Sequence, residues 1–330
     1  MKTYQPINLY SLSQELKKPK KTLILFHRNP DPDAVGSAFA LRRMLGEIGS
    51  EAYCICGEEL PGRLRFLSEG DQESVLPSSV PHDFLPERIL SVDVASPEQL
   101  GSLQAEYENR VDYMIDHHGR GTPFADYYID PKAAATGEIL FDFYAMIHPG
   151  KWSAPICRAL YAAISGDTGC FRFSNATPRT HRLAATLLES GIDAARINHL
   201  LFESKSPAQI RAEGAGSSNL RLYANGKIAV IPFSYAQKSA LELCDDDLST
   251  LIDVARSVEG VLLAFTVRQP TEAAEFRVSL RAACSYDVAA LAAQFGGGGH
   301  PRAAGCTVKA PDPESAVQAV LGKIDISRLF

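Results

Sequence analysis

No apolar run in this 330-residue chain approaches the roughly 18 residues needed to cross a bilayer. Residues 1–21 are polar and Lys-containing, without an apolar stretch leading to a small-residue cleavage site, so a cytoplasmic protein with no membrane association is expected. Excess positive charge is also missing. Lys and Arg total 33 against 39 Asp and Glu, a net charge of −6, which argues against strong affinity for long nucleic acid. A local basic patch in a cleft would still attract phosphates, because field focusing is local. The seven cysteines, Cys54, Cys56, Cys157, Cys170, Cys244, Cys284 and Cys306, are odd in number and include no C-x-x-C pair. They read as small apolar core residues rather than zinc or redox ligands, with Cys54 and Cys56 sharing one face of a strand. There is no internal repeat, and no low-complexity tract beyond the glycines at 296–299.

What remains is ordinary globular material. Apolar residues make up 45% and charged residues 22%, and the length suits about two domains at ~150 residues each. Residues 22–195 alternate strand-like and helix-like segments. Strands are predicted over 22–27, 51–57, 88–95 and 111–117, and helices over 34–48, 136–147, 155–164 and 178–190. That rhythm points to βαβ units in an open parallel sheet. A polar helix over 206–222, weakened by Gly214 and Gly216, reads as a linker. A smaller α/β domain follows, with strands over 228–233, 261–268, 276–281 and 304–309, a helix over 287–295 and a final helix.

The ionisable residues concentrate where strands and helices end, which in an open α/β sheet is where ligands bind. The first strand leads into His27-Arg-Asn-Pro-Asp31-Pro-Asp33. The third ends in Asp93, the fourth in Asp116-His117-His118, and the helix over 155–164 runs on to Asp167-Thr-Gly. Two prolines stiffen the first loop and leave Asp31 and Asp33 few conformations. A turn with Asp33 capping the next helix would explain that segment alone. It would not explain why three further element ends carry Asp or His.

Charge explains the set better. Asp31, Asp33, Asp93 and Asp167 would bring four negative charges into one place, where they repel and raise one another's pKa. Two divalent cations would cancel that charge, with neutral imidazoles from His27 and His117 completing the coordination. Carboxylate and imidazole ligands without thiolate suit Mn2+, with Mg2+ or Co2+ as alternatives. Asp93, at a central strand end, is the expected bridge between the ions.

These residues resemble the DHH phosphoesterase superfamily in all four catalytic segments. The resemblance implies one metal held by His27, Asp31 and Asp93, and a second held by Asp33, Asp93, His117 and Asp167. It implies that His118 faces the phosphate while Asp116 orients the histidines, so His118, Asp116 and Asp93 are the expected catalytic residues. Downstream, the segment from Asp287 through Gly297, Gly298, Gly299, His300 and Arg302 to Gly305 resembles the family's DHHA1 substrate-binding domain. There the glycines are expected to let backbone N–H groups approach a phosphate or base. Arg302 and His300 supply charge, with Arg281 and Arg172 as further substrate-binding candidates. Expected boundaries are a DHH catalytic domain over 1–195, a helical linker over 196–226 and a DHHA1 domain over 227–330, with the active site in the cleft between the domains.

Across the whole chain, the resemblance is to the bifunctional enzymes of nanoRNase A type. These degrade short oligoribonucleotides, about 2–5 nucleotides long, and convert adenosine 3′,5′-bisphosphate to AMP. A soluble phosphodiesterase acting on cyclic di-AMP or linear pApA is the alternative, because the same two domains serve that substrate. A non-catalytic RNA-binding module fits less well, since a binder would be free to lose ligands and this chain retains every one. Monomer and homodimer are both left open.

Overall fold

The computed structural model describes residues 3–148, 150 and 152–329, and the chain divides into two compact units, Met1–Ser204 and Lys205–Phe330. In chain order the first unit contains α1 (Leu9–Leu16), β1 (Thr22–Leu25), α2 (Pro32–Glu47), β2 (Ala52–Ile55) and β3 (Arg88–Val92). It continues with α3 (Gln104–Tyr107), β4 (Tyr113–Asp116), β5 (Asp126–Ile129), α4 (Thr136–Ile147), α5 (Ala154–Asp167), α6 (Pro178–Leu188) and α7 (Ala194–Asn198). The five strands form one sheet in the order β2-β1-β3-β4-β5, and every pairing is parallel.

Burial on both faces accounts for the apolar runs at Leu23–Leu25 and Ile89–Leu90, while Thr22, Arg88 and Ser91 are buried polar exceptions within the same strands. One face packs against α1, α2, α4 and α5 through Phe26, Phe39, Leu41, Phe143 and Leu160, while Leu23, Leu25, Ile89, Met114 and Phe124 fill the other. Cys54, Cys56 and Cys157 are buried, and burial pushes the Cys54 and Cys56 thiols up to about 12, so these residues pack rather than react. Strand order reverses between β1 and β3. The crevice at their carboxyl ends is therefore the expected ligand position on topology alone.

The second unit contains α8 (Pro207–Ser218), β6 (Arg221–Tyr223), β7 (Ile228–Phe233), α9 (Tyr235–Ala240), α10 (Leu251–Arg256) and β8 (Leu263–Arg268). After these come β9 (Glu275–Ala282), α11 (Val288–Ala293), β10 (Gly298–His300), β11 (Ala303–Lys309) and α12 (Pro313–Leu321). Its six-stranded sheet runs β10-β11-β9-β8-β7-β6 and is mixed, with only β7 and β8 parallel. Val230, Phe265, Val278 and Leu280 face α11 and α12, while Ile231, Phe233 and Ala264 face Leu251 and Ala255 of α10.

The segment expected as a linker, 196–226, divides between the units at Ser204 and Lys205. Its polar helix runs through both glycines, and Gly216 lets Leu251 of α10 pack close, since a Cβ there would lie 2.5 Å from Leu251 Cδ2. The helix stops at Ser218 rather than 222, because Arg221–Tyr223 is recruited as an edge strand on β7.

Candidate active site

The acidic and imidazole side chains singled out in the first unit arrive from five element ends. His27 follows β1, Asp31 and Asp33 open α2, Asp93 follows β3, Asp116 ends β4 with His117 and His118 behind it, and Asp167 ends α5. Close helix packing sets their spacing. A Cβ at Gly36 would meet the Ala159 carbonyl at 2.5 Å, and one at Gly166 would meet Pro32 Cβ at 2.4 Å. Only glycine therefore lets α2 lie against α5 so tightly that the loop carrying Asp31 and Asp33 reaches Asp167.

Asp31, not Asp33, caps α2: its Oδ1 accepts from the Ala34 N–H at 3.0 Å. Asp33 instead lies inside the first turn and turns away from its own helix backbone. It accepts from the Ser37 hydroxyl at 2.8 Å, and from the Thr136 and Gly137 N–H groups at 2.7 and 3.1 Å. Asp33 thus serves the amino end of α4, whose unsatisfied N–H groups and positive dipole end favour a carboxylate.

Asp93 lies at the centre. Its backbone takes the left-handed region, φ 58°, with its N–H held by the Ile115 carbonyl at 3.0 Å. Asp is among the residues that tolerate this conformation. The two carboxylate oxygens face different partners. Oδ2 lies 3.6 Å from His27 Nε2, which is also 3.8 Å from Asp31 Oδ2. Oδ1 lies 3.8 Å from His117 Nε2 and 3.7 Å from His118 Nδ1. His117 Nε2 is in turn 3.7 Å from Asp33 Oδ2 and 3.2 Å from Asp167 Oδ2.

Most of these separations exceed a normal hydrogen bond. They approach the roughly 3.0–3.4 Å between neighbouring ligands bound at about 2.1 Å to one ion. Two groups of ligand atoms, from His27, Asp31 and Asp93 and from Asp33, Asp93 and His117, are each compact enough for a single metal ion. The residues present therefore fit a metal pair. The rings are aimed by their other nitrogens: His117 Nδ1 lies 3.2 Å from the Ala133 carbonyl, leaving Nε2 for the site. His118 Nδ1 lies 2.7 Å from Asp116 Oδ1, which also accepts the His117 N–H at 2.8 Å.

Titration follows the crowding. Burial, then the charges of Asp93 and Asp167, push the Asp33 carboxyl well above its usual range. Burial works against the charged form of Asp93 too, but the imidazoles of His27, His118 and His117 hold it well below the carboxylate range. Burial would depress His27 and His117. Asp31 and Asp93 override it for the first and Asp167, Asp33 and Asp93 for the second, so both lie well above the ordinary histidine value. Without cations, these shifts favour protons on His27, His117 and Asp33.

Arg172 follows a left-handed turn at Gly169, Cys170 and Phe171. It is exposed, donates from Nε to the Gly169 carbonyl at 2.6 Å and lies over the Phe202 ring at 5.8 Å. In the second unit the Gly-rich segment is a hairpin rather than a loop: Gly298 pairs with Gly305, Gly299 with Ala304 and His300 with Ala303. Arg281 is in register with Ala303, and exposed Arg302 sits in the turn. The structure thus gathers Arg281, His300 and Arg302 at one end of the hairpin. Its glycines do not share one role. Cβ atoms at Gly297 and Gly299 would strike the carbonyls of Gly305 and Ala303 at 2.2 and 2.5 Å, whereas one at Gly298 would meet nothing within 4 Å. Packing requires glycine at positions 297 and 299, whereas the space beside Gly298 is open.

Residues 21–164 match the DHH family, N-terminal domain, and residues 233–325 match the DHHA1 domain. Over 299 residues the chain is 31% identical to the bifunctional oligoribonuclease and PAP phosphatase NrnA of Thermus thermophilus, covering 90% of this chain and 87% of that one. The chain belongs to the DHH phosphoesterase family. The NrnA of Bacillus subtilis is 27% identical over 311 residues, covering 90% and 93% of the two chains. A crystal structure of an exopolyphosphatase-related protein from Bacteroides fragilis, 21% identical, superposes with a TM-score of 0.86 over 96% of this chain and 95% of that one, and shows the same fold. As a DHH phosphoesterase the chain is a phosphoric ester hydrolase. Among the described residues no helix is long and apolar enough to cross a membrane.

Proposed function

We propose that this DHH phosphoesterase cleaves short oligoribonucleotides of about 2–5 nucleotides to mononucleotides and removes the 3′-phosphate of adenosine 3′,5′-bisphosphate, in a cytoplasmic setting. The two NrnA relatives support the substrate class, each matching about nine-tenths of the chain under a name that states both activities. The observation that carries the chemistry is the division of Asp93, one oxygen toward His27 and the other toward His117. A carboxylate presented in this way would serve two cations at once. His27, Asp31 and Asp93 would hold one, and Asp33, Asp93, His117 and Asp167 the other, with Mn2+ the best match to these donors. Bound there, such ions would supply activation of a water nucleophile and compensation of charge on the phosphoryl group.

The remaining steps belong to side chains. Asp116 fixes the His118 ring through Nδ1, which leaves Nε2 to donate to a phosphate oxygen. The Asp116 and Asp93 carboxylates raise the His118 pKa against burial, which favours the donating form. Arg302 and His300 bind the substrate's other phosphate, the open face at Gly298 admits it to the backbone, and Arg281 and Arg172 add charge. Parallel assays of pApA, a short RNA series, adenosine 3′,5′-bisphosphate and cyclic di-AMP with Mn2+ test this reading. Turnover of the first three is expected. Efficient turnover of cyclic di-AMP alone would replace it.

A further inference from the structure

The first turn of α4 holds two of the site's carboxylates, and no role assigned above uses its side chain. Thr136 is fully buried. Its N–H donates to Asp33 Oδ2, while its hydroxyl donates to Asp93 Oδ1 at 3.0 Å. Asp33 is delivered by α2 and Asp93 by the end of β3, so this one residue ties together like charges brought by separate elements. The anchor is rigid, because a Cβ at Gly137 would meet Ala163 Cβ at 2.7 Å, and α4 therefore sits hard against α5. The choice of oxygen matters as well. Thr136 takes the Asp93 oxygen on the His117 side and leaves Oδ2 to His27. A hydrogen bond at one oxygen fixes the carboxylate torsion and still leaves that oxygen a lone pair for an ion.

We propose that Thr136 is a positioning residue for the metal centre, its hydroxyl orienting Asp93 so that Asp33, Asp93 and His117 converge. This rests on the two-ion reading above. Outer partners of metal ligands typically change affinity 10- to 100-fold when removed. The backbone donations to Asp33 survive any side-chain exchange, so Thr136→Val isolates the hydroxyl and Thr136→Ser restores it.

The test is calorimetric titration of metal-stripped protein with Mn2+, bound metal being counted separately, alongside kinetics on adenosine 3′,5′-bisphosphate. For Thr136→Val, one of the two binding events should weaken by about 10- to 100-fold, and kcat should fall with KM little changed. Thr136→Ser should match the parent protein. If Thr136→Val fails to melt cooperatively, Thr136→Ala takes its place with the same expectation. Unchanged Mn2+ affinity in the variant lacking the hydroxyl, or equal impairment in Thr136→Ser, overturns the role of Thr136 while two ions still bind. A parent protein that binds fewer than two ions overturns the two-ion reading itself.

Discussion

At the residue scale, Asp93 combines a left-handed backbone with a carboxylate shared between two clusters. Asn tolerates the same backbone and can still accept from Thr136, so Asp93→Asn removes the charge with little change of shape. We expect it to fold, to lose both ions and to lose more than about 100-fold in turnover, beyond what removing an outer partner causes. Metal analysis and steady-state kinetics check this, and full activity in the variant would exclude a bridging role. The raised His27 and His117 pKa values have a consequence of definite sign. The upward shifts favour the protonated imidazoles in the metal-free protein, and only the neutral ring binds a cation. Mn2+ binding should therefore release about one or two protons, and apparent affinity should rise with pH until both groups deprotonate unaided. Calorimetry in buffers of different ionisation enthalpy measures the release, and no release would contradict protonated imidazoles. The convergence of Asp and His was legible in the sequence because each ends a recognisable strand or helix. Their supports were not, because Thr136, Gly137 and the Ala133 carbonyl meet the cluster only after the chain has folded.

At the scale of elements, the site depends on how closely α2 and α5 approach. Gly36→Ala places a methyl 2.5 Å from the Ala159 carbonyl, a backbone atom that cannot swing aside. Such overpacking costs about 1–3 kcal/mol, and prying the helices apart also moves Asp31 and Asp33 from Asp167. Thermal melts should therefore show a lowered Tm, and Mn2+ affinity should fall in protein that remains folded. Unchanged affinity would mean that helix spacing does not set the site. The hairpin of β10 and β11 presents Arg302 in its turn. A charge-assisted hydrogen bond contributes about 1.5–3 kcal/mol, so Arg302→Ala should lower kcat/KM roughly 10- to 150-fold and leave metal content intact. Equal loss of metal would show that the residue acts elsewhere. Most long elements could be read from the sequence, α4 and β7 with identical ends. The strand β5 escaped because Asp126–Ile129 is an edge strand, half-buried throughout, with neither alternation nor an apolar run. The strand β10 escaped because glycines carry no side-chain period, and its pairing is enforced by β11.

At the scale of the molecule, two units were legible from the change of rhythm on either side of 196–226, but their border within that segment was not. The segment 196–204 joins the first core through Ile197 and Leu201, whereas Ala212 joins the second. These attachments are tertiary, so a polar helix reads as a connector until its few apolar residues find their cores. Charge is the other global property, and it bears on substrate length. With 39 acidic against 33 basic residues the surface offers no net attraction for a long polyanion. On the function proposed above, phosphate affinity comes from local groups: Arg302, His300, Arg281, Arg172 and the bound cations. A set of that size engages about two or three phosphates, and each one neutralised on a single strand adds about −0.7 to the slope of log K against log salt. The expected slope is therefore about −1.5 to −2, shallow beside that of proteins that track long strands. Nucleotides beyond these contacts gain no binding and carry repulsive phosphates over an acidic surface, so rates should fall beyond roughly five nucleotides. A steady-state series from dinucleotides to strands of about 24 nucleotides, repeated at several salt concentrations, measures both quantities. If the longest strand is degraded fastest and with a steep salt slope, binding extends well past the hairpin arginines, and a processive exonuclease becomes the better account.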